Sequence, residues 1–79
     1  MHAITHFTQL GAILSARRKA LKLSQTQVAE RLGLSQNRLS ELETQPETLT
    51  VAQLLALANV LGLALHIGAA AATKSKVEW

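Results

Sequence analysis

The apolar positions divide the chain into four helical stretches. Phe7, Leu10, Ile13, Leu14 and Leu21 recur at helical spacing and predict a first helix from about residue 6 to residue 21. Val28, Ala29 and Leu32 share one face of a second helix, which Ser24 can cap with Gln27 at the capping-box position three residues on. Gly33 ends it, where a left-handed backbone costs little only for glycine. Leu34 anchors the turn, and Ser35 caps a third helix that carries Leu39 and Leu42 inward. The stretch TQPETLT, residues 44–50, is a loop in which Pro46 stops any continuing helix. Thr50 and Gln53 repeat the capping-box spacing and open a fourth helix, which runs to about Leu61 and closes at Gly62. Residues 63–67 alternate apolar and polar weakly and carry no helix cap, which predicts a short strand. Residues 68–79 turn small and then polar, a flexible tail.

The segment from Ser24 to Glu43, SQTQVAERLGLSQNRLSELE, is the organising unit. Two short helices joined by a tight turn, with small Ala29 where they would cross, make the pattern of a helix-turn-helix, whose second helix enters the DNA major groove. Similar helix pairs occur in bundles that touch no DNA. Small Ala29, Gly33, apolar Leu39 and Leu42, and a polar face on the second helix where Gln36, Asn37, Arg38, Ser40 and Glu41 are mostly hydrogen-bonding groups together favour the DNA reading. Base reading is expected from Ser35, Gln36, Asn37, Arg38 and Ser40. Gln36 and Asn37 can each pair with adenine N6/N7, and Arg38 with guanine O6/N7 or a phosphate. Ser24, Gln25 and Thr26, at the start of the first motif helix, are expected to bind phosphate. Glu41 could accept from cytosine but reads more simply as a solvated residue.

Composition narrows the class without fixing it. Seventy-nine residues make one small domain, and the net charge of +3 suits an anionic partner without proving one. The basic run Arg17, Arg18, Lys19 and Lys22 complements the dipole at the end of the first helix and adds attraction for phosphates. With no cysteine there is neither disulfide nor thiolate metal site. Phe7 and Trp79 are the only aromatic residues, so the core must be built from Leu, Ala, Val and Ile. No apolar run spans a membrane and the first residues do not resemble a signal peptide, so a cytoplasmic protein is expected. His2 and His6 stand four apart with no third ligand near them. No phosphate loop, nucleophile elbow or carboxylate pair occurs, so no metal, cofactor or enzymatic chemistry is expected.

The fourth helix is apolar almost all round. Leu54, Ala58 and Leu61 line one face and Leu57 and Val60 another, more than a small domain can bury. A lone strand at 63–67 also leaves its backbone groups unpaired. Both features predict a homodimer in which the two strands pair. Such a two-fold dimer would set its recognition helices about 34 Å apart on a palindromic double-stranded DNA operator.

The string from Ser24 to Glu43 resembles the Xre/Cro family of helix-turn-helix repressors, with the likeness running from about Leu10 to Leu63. It implies a mainly α, lambda-repressor-like domain of four helices, followed here by the short C-terminal strand. It also implies that Arg18 pairs with Glu43 as an internal clamp, so that neither residue reads bases. Many relatives have glycine where this chain has Lys22. Thr8-Gln9-Leu10, Ser24-Gln25, the Pro46 loop, residues 63–67 and the terminal Glu78-Trp79 further resemble the HipB-type antitoxins. The loop around Pro46 is shorter and the DNA-facing residues differ, so no operator sequence carries over.

This second likeness implies a bacterial, nucleoid-associated repressor of its own operon that binds a HipA-type serine/threonine kinase toxin. It assigns residues 1–67 to DNA binding and dimerisation. It gives the tail, 68–79, a part in toxin docking through Val77 and Trp79, and in turnover by proteases. A stand-alone or phage-type repressor of the same family, and a helical module that binds only protein, are the competing readings.

Overall fold

Three hydroxyl residues start three of the helices. The Oγ atoms of Ser24 and Ser35 and Oγ1 of Thr50 accept the N–H of Gln27, Arg38 and Gln53 at 3.0, 3.1 and 3.0 Å. Gln27 and Gln53 reply by accepting the cap residue's own N–H, so both boxes close as the spacing predicts. Gln9 plays a similar part at the first helix, accepting the N–H groups of Thr5 and His6. The resulting elements are α1 (Phe7–Ala20), α2 (Gln25–Leu32), α3 (Gln36–Thr44) and α4 (Val51–Val60). One 3₁₀ turn, Pro46–Thr48, lies in the loop between α3 and α4, and Pro46 is buried there. The computed structural model describes residues 3–69. His2, Val77, Glu78 and Trp79 lie outside the described residues, and with them most of the expected tail.

The helix ends share a second device. Lys22, Gly33 and Gly62 are left-handed, with φ of 59°, 69° and 68°. Each is followed by a leucine whose N–H returns to the helix: Leu23 to the Arg18 carbonyl, Leu34 to Ala29 and Leu63 to Ala58. These three leucines then pack against the core, so each stop also directs the chain inward.

The core is formed by Leu14 of α1, Val28 and Ala29 of α2, Leu39 of α3, and Leu57 and Leu61 at the end of α4, with Leu42 and Ala58 also buried. Two faces differ from the pattern read in the sequence. On α1 the buried residues are Gly11, Leu14 and Arg18, whereas Phe7 at the first position is 61 % exposed. The seam thus runs through one glycine and one arginine that apolar periodicity does not mark. On α4, Leu57 is 1 % exposed and belongs to the core beside Ala58 and Leu61, not to a second face. The uncovered apolar side of α4 is instead Val51 and Leu55.

Gly11 is required by proximity. A Cβ there would run into the backbone carbonyl oxygen of Glu43 and lie 3.2 Å from Cγ of Pro46. The missing side chain lets α1 approach the end of α3.

The strand expected at 63–67 is not formed, and the described residues contain none. A strand needs a neighbour for its N–H and C=O groups, and four helices of one chain supply no sheet edge. Leu63 to His66 instead line an apolar groove with Ile4, Leu10, Ile13 and Leu54, while Ile67 is 96 % exposed. Among the described residues no helix is long and apolar enough to cross a membrane.

Lys22 holds a backbone conformation that costs a side-chain-bearing residue about 1–2 kcal/mol. Lys22→Gly should remove that strain and give back part of the gain through the entropy of the unfolded chain. The expected result is a net stabilisation of about 0.5–1 kcal/mol, read as a higher urea midpoint at unchanged slope.

Candidate nucleic-acid interface

The interface is built outward from a buried ion pair. Arg18 projects from α1 and Glu43 from α3, with only 10 % and 6 % of their side chains exposed. Arg18 Nε donates to Glu43 Oε2 at 2.7 Å and Nη2 to Oε1 at 3.2 Å, a bidentate fork. Arg18 Nη1 donates to the Leu23 carbonyl at 3.0 Å, which ties the pair to the turn before α2. No buried side-chain nitrogen or oxygen among the described residues lacks a partner.

Glu43 keeps acceptor capacity beyond the arginine fork, and Gln25 uses part of it. Gln25 Nε2 donates to Glu43 Oε1 at 3.1 Å, and Gln25 Oε1 accepts from Gln36 Nε2. Direction is fixed along this chain. A carboxylate held by arginine can only accept, so Gln25 must turn its amide nitrogen inward and its oxygen towards Gln36. Gln36 must then donate, which leaves its Oε1 and its second N–H free. Those two groups are what the N6–H and N7 of adenine require. The residues expected to clamp, to bind phosphate and to read bases are therefore joined in one network: Arg18, Glu43, Gln25 and Gln36.

The other expected site residues lie around this line. Ser24 and Thr26 are exposed at the start of α2, where the N–H groups of Gln25 and Thr26 have no acceptor within the helix. The capping oxygens of Ser24 and Ser35 accept backbone N–H, and their own O–H groups stay available to a phosphate or base. Ser35, Gln36 and Asn37 are exposed, and Arg38 and Ser40 half-buried. Arg38 Nη1 donates to Glu41 Oε1 at 2.8 Å across one turn of α3. Arg17 is held elsewhere, its Nε donating to the Leu61 carbonyl at 2.8 Å and so satisfying the end of α4.

Residues 14–67 match the family model described as Helix-turn-helix, more than half of the chain. The chain belongs to the Xre-type helix-turn-helix family. A DNA-binding transcription regulator is the function class this membership gives, and the family is a regulatory one, not a family of enzymes. The match takes in residues 63–67, so this segment belongs to the helix-turn-helix domain even without forming a strand. A search of curated proteins returns no match.

Sequence reasoning passed over two parts of the interface. Gly11 carried a signal, since glycine within a patterned helix costs about 1 kcal/mol against alanine and implies a packing reason. The contact between Gln25 and Gln36 had no local signal, because eleven residues and a turn separate them.

Arg18→Ala should leave the Glu43 carboxylate buried and uncompensated. The expected cost is about 3–5 kcal/mol of stability, measured by urea denaturation. An unchanged midpoint would show that the pair does not hold α1 to α3.

Proposed function

We propose that this helix-turn-helix domain is a dimeric, sequence-specific transcriptional repressor that reads a palindromic operator. The observation that carries the reading is the fixed presentation of Gln36, whose free carbonyl oxygen and amide proton are set by a buried carboxylate through Gln25. A helix that only packed against protein would have no use for a polar group held in one orientation at its exposed end. Ser35, Asn37, Arg38 and Ser40 complete the base-reading set, and Ser24, Gln25 and Thr26 grip the phosphates on either side. Dimerisation is supported by the large apolar residues Val51, Leu55, Leu65 and Ile67, which a single copy leaves exposed. A second copy would also supply the neighbour that residues 63–67 need to become a strand.

Within this reading we place the chain as the antitoxin of a HipA-type kinase, repressing the operon that encodes both. The support is the resemblance at Thr8-Gln9-Leu10, Ser24-Gln25, the Pro46 loop and the terminal Glu78-Trp79.

Fluorescence anisotropy on the chain's own upstream region and on a scrambled duplex, at two salt concentrations, tests the repressor. Selective binding that weakens with salt is expected. Gln36→Ala should cost about 1–3 kcal/mol of that affinity and leave melting unchanged. Equal, weak binding to both duplexes would overturn base reading. The antitoxin role predicts that removal of residues 77–79 weakens binding to the kinase while operator affinity stays within about twofold. Undiminished kinase binding would remove the tail from the docking surface.

A further inference from the structure

Glu41 stands where a duplex facing α3 would meet it. Leu39 and Leu42 point into the core and Glu43 towards Arg18, so at 3.6 residues per turn the opposite side of the helix centres on Asn37 and Glu41. The Glu41 side chain is 59 % exposed, one turn beyond Asn37. A carboxylate there opposes the phosphates. It also cancels the charge of Arg38, so the exposed face of α3 carries no net positive charge towards DNA. General attraction falls to cations elsewhere, such as the exposed Lys19, Lys22 and Arg31.

We infer that Arg38 and Glu41 act as one unit that reads a guanine–cytosine base pair, with Glu41 setting the specificity. This rests on the repressor reading above. Their bond uses one of the five N–H donors of Arg38 and one oxygen of Glu41. What remains is a fork of donors beside a free carboxylate oxygen. In the major groove a G·C pair offers O6 and N7 of guanine as acceptors and N4–H of cytosine as a donor. The match is group for group. A·T places the O4 acceptor of thymine on the pyrimidine side, opposite the carboxylate. Glu41 therefore rejects as well as selects, and its bond to Arg38 holds the guanidinium over the same base pair.

Selection from a pool of randomised duplexes, with wild type, Glu41→Ala and Glu41→Gln, tests this. Single-base-pair anisotropy on the selected sequence then gives the preferences. Wild type should recover an adenine position and a G·C position. Glu41→Ala should lower the G·C preference about tenfold, leave the adenine preference in place and bind scrambled duplex more tightly. Glu41→Gln should admit A·T at the same position, since its amide N–H can donate to the thymine O4 that the carboxylate repels. Losses from Arg38→Ala and Glu41→Ala should combine to less than their product. Melting should be unchanged in the Glu41 variants, as the residue is exposed. If wild type selects a sequence and both Glu41 variants select it with equal preference at every position, Glu41 is only a helix-surface ion pair and the inference falls. If wild type selects nothing, the repressor reading falls with it.

Discussion

The contact between Arg18 and Glu43 is the constraint on which the rest of the domain depends. Taking both charges out of water costs several kcal/mol per ion unless geometry and extra hydrogen bonds recover it. Here both partners are extensively hydrogen-bonded. Arg18 reaches both carboxylate oxygens and the Leu23 carbonyl, and Gln25 takes a further acceptor site on Glu43. Such a pair tolerates little change in the distance between α1 and α3. Gly11 sets that distance, because its bare α-carbon lies against the Glu43 carbonyl with Pro46 beside it. Burial of a charge, loss of a side chain and the position of a proline are thus parts of one packing solution.

Around that fixed point the helices are delimited by local chemistry. Hydroxyl caps open α2, α3 and α4. A left-handed residue followed by leucine closes α1, α2 and α4. Both devices span only a few residues, so they act within the unfolded chain and need no tertiary contact to be read. That is why the element boundaries could be taken from residue order. Lys22 obeys the same geometry as Gly33 and Gly62 despite its side chain. The position, not the residue type, is what the fold demands there.

Legibility stopped where contacts are long-range. The helix-turn-helix was visible because Ser24, Gly33 and Ser35 act on neighbours. Apolar periodicity chose Phe7 for the α1 seam and left out Gly11 and Arg18. It measures side-chain hydrophobicity, and this seam is selected by closeness and charge. It also split α4 wrongly, since a helix apolar on nearly every side gives no contrast from which to choose Leu57 over Val51. Residues 63–67 carry alternation suited to a strand, but a strand is a property of a pair, and the described residues offer no second strand. Pairing of Arg18 with Glu43 was implied by family resemblance alone; nothing in their spacing announces it.

The two reading groups proposed on α3 therefore differ in kind. Gln36 is oriented from within, by a carboxylate that cannot donate and an intervening amide that must comply. The adenine pairing proposed for it therefore rests on the same network as the ion pair, and changes near Glu43 are expected to alter it without touching DNA. Arg38 and Glu41 are oriented only by each other, at the surface, one helical turn apart. Glu41 is exposed, so substitution there is expected to leave α1, α2 and the core undisturbed. The specificity proposed at Arg38 and Glu41 thus rests on a surface pair alone, whereas that proposed at Gln36 is oriented through Gln25 by the ion pair between α1 and α3.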